Sequence, residues 1–285
     1  MHQKKIGLMI LAAFLVGFGL AQASDQAVGP IVTSAGYSPV LLTSVPDYPF
    51  GVAVPPQGQT IYFTGQDGLY YYAGGSGGLA VSDPGLTACR FRPKWGCFAG
   101  DSSGNIYRLN VNAGSEVLLG SVPGFLIPGI DIDPANGDIY FTAIRPLLPP
   151  AVRVYKLRQG GQAPRLVASL STMVTGITVV GSSLYVAATY GGEVLRLPKT
   201  GGTPRPVISG PFSPADITAD PAGNLYFSDM YGGAIYAVKK GTNRAVSIAS
   251  GFNYPFGIGV DAKGNIYFVE NYGPAGLWML RRSFS

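Results

Sequence analysis

Histidine is almost missing from this chain: the single one is His2, inside a leader that reads as removed on maturation. Its absence from the mature chain excludes His-based general acid–base catalysis, Ser-His-Asp and Cys-His triads, and His-ligated zinc, copper or haem. Charged residues make up only 12% of the sequence and the net charge is +5, a mild excess that gives no case for nucleic acid as a partner. No stretch of useful length carries a helical period. Glycine (41) and proline (23) are plentiful instead, and they break up short runs rich in β-branched and aromatic residues, the pattern of an all-β chain.

The first residues follow a three-part layout. His2, Lys4 and Lys5 make a positive start, Ile6 to Leu20 is an apolar run of 15 residues, and Ala21-Gln22-Ala23 is a small-x-small site. This predicts a secretory signal peptide over residues 1–23. A spanning helix needs about 20 apolar residues, so no transmembrane span is expected after cleavage. No cysteine lies near the site to take a lipid, and no Arg-Arg pair precedes the apolar run. The expectation is export, to a periplasm or to the outside of the cell. In that compartment the two cysteines, Cys89 and Cys97, predict a disulfide.

Internal repeats organise the rest. The clearest unit runs Phe252-Asn-Tyr-Pro-Phe-Gly-Ile-Gly-Val-Asp-Ala-Lys-Gly-Asn-Ile-Tyr-Phe-Val-Glu270. Related units start at Phe212, Pro128 and Tyr48, with a worn copy at Thr175. Anchors for the first strand of each unit fall at Gly51, Thr87, Gly129, Gly176, Asp216 and Gly257, spaced by 36, 42, 47, 40 and 41 residues. That is the period of a four-stranded propeller blade. In each unit a short apolar strand leads to an Asp (Asp133, Asp220, Asp261), whose carboxylate can accept backbone N–H bonds. The turn closes on Gly-Asn or Gly-Asp, where Gly supplies positive φ. The second unit is ambiguous, because Asp101-Ser-Ser-Gly-Asn105 also reads as such a turn; Leu86 to Pro93 is preferred as its first strand. The last unit stops after its third strand, and Pro39 to Val45 has the character of a fourth. The chain is therefore expected to be an all-β six-bladed β-propeller over residues 37–285, preceded by a short N-terminal segment, 24–36. An N-terminal strand is expected to complete the last blade, so that closure leaves only short protected edges.

These units resemble the NHL repeat, which reads Pro-x-Gly-Ile-x-Val-Asp-x-x-Gly-Asn-Ile-Tyr-Val-x-Asp, over nearly the whole mature chain. In blade form the chain also resembles the gluconolactonase-like propellers. That resemblance implies a metal-dependent hydrolysis of lactones or esters, with a Ca or Mg type of divalent cation held in the channel by a Glu, an Asn and an Asp. Asp216 fits the last of these. Phe50 and Gly51 stand where the Glu would be, and Thr175 where the Asn would be.

A propeller's usual site is the mouth of its channel. The connections lining that mouth supply Phe50, Arg145, Tyr190, Asp229, Tyr231, Tyr254, Phe256, Glu270 and Tyr272 as candidate ligand-binding residues, an aromatic and weakly acidic set suited to a small molecule, a sugar or a peptide. Packing between blades is the competing use for each aromatic. Basic residues, among them Lys156, Arg158, Arg165, Arg196, Lys199, Arg205, Lys239, Lys240, Arg244, Arg281 and Arg282, fall on third strands or the turns after them, on the face opposite the mouth. They suit an anionic surface, or serve to keep sheet edges soluble. No catalytic constellation is complete. The leading expectation is a monomeric, exported, non-catalytic binding or scaffolding propeller without a cofactor, for a protein, peptide or small-molecule ligand. The alternative is the metal-dependent lactonase or esterase.

Overall fold

The repeating Asp turn explains how blades five and six start. Asp220 Oδ1 accepts the Asn224 backbone N–H at 2.8 Å, and its Oδ2 accepts the Asn224 side-chain amide at 2.7 Å and the Tyr226 hydroxyl at 3.2 Å. Gly223 between them has φ +87°, a conformation open to glycine at little cost. Asp261, Asn265 and Tyr267 repeat the unit at 2.9, 2.8 and 3.2 Å. One carboxylate thus folds the hairpin and anchors the tyrosine of the next strand.

In the computed structural model, residues 30–34, 36–46, 48–147, 149–161, 163–271 and 275–283 are described. The expected signal peptide lies outside them, as do residues 24–29 and Tyr272. The described chain is all-β: six sheets, each a meander of antiparallel strands. Blade one spans residues 52–81, blade two 86–121, blade three 126–170, blade four 174–209 and blade five 214–250. Blade six takes three strands from residues 255–282 and its fourth from Tyr37–Ser44, which pairs antiparallel with Gly276–Arg282. The N-terminal strand therefore closes the ring as the sequence predicts. Val32–Thr33 adds a feature the sequence reading missed, pairing with Ala249 and Ser250 as a fifth strand on blade five.

Blade two begins at Leu86, as preferred. Its ambiguity has a physical basis. Asp101 makes the same bonds as Asp220 and Asp261, to the Asn105 N–H at 2.8 Å, the Asn105 amide at 2.9 Å and the Tyr107 hydroxyl at 3.3 Å. Here the unit joins the second strand to the third instead of the first to the second. The anchor of this blade also shifts by one residue. A Cβ on Gly51 would meet the Cys89 backbone nitrogen at 2.6 Å and Ala88 Cα at 3.1 Å, as a Cβ on Gly176 would meet Asp216 Cα at 2.6 Å. Ala88, not Thr87, is the counterpart of the other anchors.

Buried hydroxyls tie neighbouring blades together across the inner strands. Thr87 donates to the Ile127 carbonyl at 2.6 Å, Thr142 to that of Thr175 at 2.6 Å and Ser228 to that of Phe256 at 2.5 Å, while Thr175 reaches Ala215. These bonds link blades two to three, three to four, five to six and four to five. At the seam between blades six and one, a Cβ on Gly257 would stand 2.3 Å from the Phe50 carbonyl oxygen, so only glycine lets the two backbones approach.

The expected disulfide is not formed: Cys89 and Cys97 are free and buried. The hairpin register sets Cys89 opposite Ala99 and Cys97 opposite Phe91, leaving the cysteines diagonal to each other. Diagonal neighbours sit about 7–8 Å apart, beyond the usual span of a disulfide. Burial raises both thiol pKa values, that of Cys97 to about 12.

Candidate functional site

The pairing of first with second strands defines one equivalent position per blade. Ala53, Arg90, Asp131, Thr178, Thr218 and Gly259 each stand opposite an aromatic residue, namely Tyr62, Phe98, Tyr140, Tyr185, Tyr226 and Tyr267. Four of the six are small. The other two, on neighbouring blades, carry opposite charge.

Arg90 crosses the channel. It is 5% exposed, yet its guanidinium reaches three other blades. Nε donates to the Ile130 carbonyl of blade three at 3.3 Å and Nη1 to that of Ile258 of blade six at 2.9 Å. Nη2 donates to the Ile217 carbonyl of blade five at 3.2 Å and lies 3.4 Å from Asp216 Oδ1. Blades two and five face each other in a ring of six, so the side chain spans the channel's width. Asp216 is buried and fully engaged: Oδ1 also accepts the Ile217 N–H at 2.8 Å and Oδ2 the Ile258 N–H at 3.0 Å. Burial pushes its pKa above the ordinary carboxylate value, against the pull of Arg90 and these N–H groups. Asp131, wholly buried, accepts Arg92 Nε and the Val179 N–H at 2.9 Å each, and the Thr178 hydroxyl at 3.0 Å. Its burial would raise the pKa, but Arg92, Arg90 and these bonds outweigh it and hold the group below the usual range. Two guanidiniums and two carboxylates thus fill the channel with no net charge.

The mouth is built differently. Tyr190 and Tyr231 occupy equivalent turns on blades four and five. Their hydroxyls are hydrogen-bonded to each other, and burial raises both pKa values. Tyr231 meets Tyr254 edge to face, with ring centroids 5.9 Å apart. Tyr190 is 41% exposed and the other two are half-buried, so the three form an arc across blades four, five and six. Tyr254 has φ +50°, and Tyr48, in the same Tyr-Pro-Phe-Gly setting on blade one, has φ +60°. A non-glycine residue rarely adopts this conformation, and a following proline disfavours it further; such strain concentrates at functional sites.

The other candidates lie deeper or elsewhere. Phe50 and Phe256 are 2% and 1% exposed and pack edge to face on each other at 5.2 Å. Asp229 Oδ1 accepts the Ser213 and Gly232 N–H groups at 2.8 and 3.0 Å. Glu270 accepts the Asn253 N–H and Trp278 Nε1 at 2.7 Å each. Burial raises both carboxyl pKa values. Arg145 is exposed at the end of its strand, and Tyr272 is outside the described residues. Arg90, Asp131 and the ion pairs filling the channel were missed in the sequence, although a charge at a position that is Ala, Thr or Gly in four other blades is a legible signal.

The metal implied by the gluconolactonase resemblance does not fit these residues. Both Asp216 oxygens are taken by N–H donors, and a cation already stands beside them. Among the described residues no three His, Cys, Asp or Glu side chains converge. Phe50 and Gly51, where a Glu ligand is expected, are buried beside apolar neighbours, and Thr175 hydrogen-bonds Thr189 and Ala215.

The fold defines the class: a six-bladed β-propeller. The chain is similar to a gluconolactonase from Xanthomonas campestris, with a TM-score of 0.72 and 17% identity over 91% of this chain and 99% of that one. It is also similar to a calcium-binding regucalcin from Agrobacterium tumefaciens (TM-score 0.68, 13% identity, 88% and 96% covered). A luciferin-regenerating enzyme gives 0.70 at 12% identity, with 88% and 98% covered. No family model matches the chain and no curated protein matches it, so the NHL resemblance rests on the repeat residues themselves. Among the described residues no helix is long and apolar enough to cross a membrane.

Proposed function

We propose that this protein is an exported, non-catalytic binding propeller whose ligand, a sugar or another small ring-bearing molecule, seats on Tyr190, Tyr231 and Tyr254 at the channel mouth. The observation that carries the reading is Arg90, whose guanidinium occupies the channel and engages Asp216, the acid that fits the implied metal-ligand set. Tyrosines present a flat apolar face and a hydroxyl, the combination that packs on a ring and bonds its polar substituents. The leader-like N-terminus supports export.

Metal-dependent hydrolysis of lactones or esters is the second reading. Its support is the structural similarity to a gluconolactonase and a luciferin-regenerating enzyme, a likeness of fold on which different activities are built.

One experiment separates the two. Metal-free protein is melted alone, with excess Ca²⁺, Mg²⁺, Mn²⁺ or Zn²⁺, and with a panel of sugars, and is assayed on lactones. The binding reading expects no response to any ion, no turnover, and a sugar-dependent rise in Tm that Tyr231→Ala abolishes. An ion-dependent rise lost in Asp216→Ala, with lactone turnover, overturns it in favour of the hydrolase.

A further inference from the structure

The face opposite the mouth holds a cavity of about 680 Å³, within the range of small-molecule sites. All six blades contribute to it through the turns between first and second strands, from Val54 of blade one to Val260 of blade six. Arg90, with Arg92 and Asp131, closes the channel above, so the cavity is a blind cup. Its inner wall is largely apolar, with Val54, Phe91, Val179 and Val260. A second depression, of about 510 Å³, shares Val180, Tyr185, Arg196, Gly223 and Lys240 with the cup and carries it outward between blades four and five.

The charged groups of the cup differ in what they are bonded to. Asp220 and Asp261 line it, but their oxygens are committed to Asn and Tyr donors in the blade turns. Arg92 is neutralised by Asp131. Arg196 gives Nε to the Ser183 hydroxyl at 2.9 Å, which fixes its position and leaves both terminal nitrogens for a ligand. Lys240 is exposed. Neither has an ion-pair partner among the described residues. Two free cations thus stand where the cup meets the outer depression, beside an apolar wall.

We propose that this cup is a second ligand site, distinct from the mouth, for an organic anion: an apolar, ring-sized body against Phe91, Val179 and Val260, with its phosphate, sulfonate or carboxylate head between Arg196 and Lys240. Charge-assisted bonds from a guanidinium and an ammonium hold such a head more strongly than neutral ones.

The test is fluorescence titration with 8-anilinonaphthalene-1-sulfonate, which combines an aromatic body with one anionic head. Saturable binding to the folded chain is expected, weakened about tenfold or more in Arg196→Gln/Lys240→Gln, since losing 1.4 kcal/mol is tenfold in Kd. Arg196→Lys should restore part of the affinity. Arg165→Gln, on the outer strand of blade three, should leave it unchanged. Absence of saturable binding overturns the proposal, as does equal affinity in the double variant. Inorganic phosphate and vesicles of anionic lipid serve as separate arms. Binding to vesicles without binding of the soluble probe overturns the cup in favour of a flat basic surface.

Discussion

Arg90→Met keeps an unbranched apolar stem and removes the guanidinium with its charge, so it tests the part that group plays in the channel. The wild-type group is 5% exposed, serves carbonyls on three blades and stands against Asp216. Removing one partner from a buried ion pair costs about 3–5 kcal/mol, because the remaining charge is left uncompensated. In a domain of this size 1 kcal/mol moves Tm by about 2–4 °C, so the variant should melt on the order of 10 °C lower near neutral pH. The loss should also depend on pH. Burial already raises the Asp216 pKa, and Arg90 is the largest influence holding it down, so the variant raises it further. A carboxyl raised in the folded state lends stability that is full below its unfolded pKa and is lost as pH rises through the folded value. The deficit of Arg90→Met should therefore be smallest in acid and grow toward alkaline pH. Adding Asp216→Asn removes the stranded charge and should recover part of the loss. Thermal melts from about pH 4 to pH 8, a range that starts near the ordinary Asp pKa, read all three effects. A variant within about 1 kcal/mol of wild type near neutral pH, smaller than any penalty expected of a broken buried pair, would refute the argument, as would a deficit that does not change with pH.

Other consequences are as direct. Deleting residues 37–44 removes the fourth strand of blade six and bares the edge formed by Gly276–Arg282; the product should aggregate or lose its cooperative melt, and a soluble, sharply melting deletion would disprove the closure. Burial raises the Glu270 pKa, so wild type loses stability as pH rises through it; the Tm of Glu270→Gln relative to wild type should improve from acid to alkaline pH, and a flat difference would count against this. Cys89 and Cys97, buried with raised pKa values, should both resist a thiol reagent in the native protein and both react on unfolding without reductant; no reactive thiol after unfolding would restore the disulfide.

The repeat made the fold legible. A carboxylate, a glycine and an asparagine at fixed spacing form a closed hydrogen-bonded turn, and that chemistry is local enough to read from Asp220 to Tyr226 without coordinates. The same locality misplaces it, since the unit at Asp101 folds identically one strand later in its blade. Cys89 and Cys97 turned on register, which the turn pairing Arg92 with Gly96 sets and which no spacing reveals. The site was legible only in part. The turns carrying Tyr190 and Tyr231 follow from the repeat, but burial of Phe50 and Phe256 depends on how blades meet. Arg90 draws its partners from residues 40 to 168 positions away, beyond any sequence pattern.

The N-terminal crossing from blade five to blade six also sets the order of events in folding. Val32–Thr33 and Tyr37–Ser44 are the first described strands to be synthesised, and their partners, Ala249–Ser250 and Gly276–Arg282, are among the last. Pairings of such long sequence separation are the slowest to form. Blades one to five contain four strands of their own and can assemble while the chain grows; blade six must wait for the two ends to meet. A chain halted before residue 276 keeps residues 37–44 as an unpaired strand, so completing the ring is the last commitment the molecule makes.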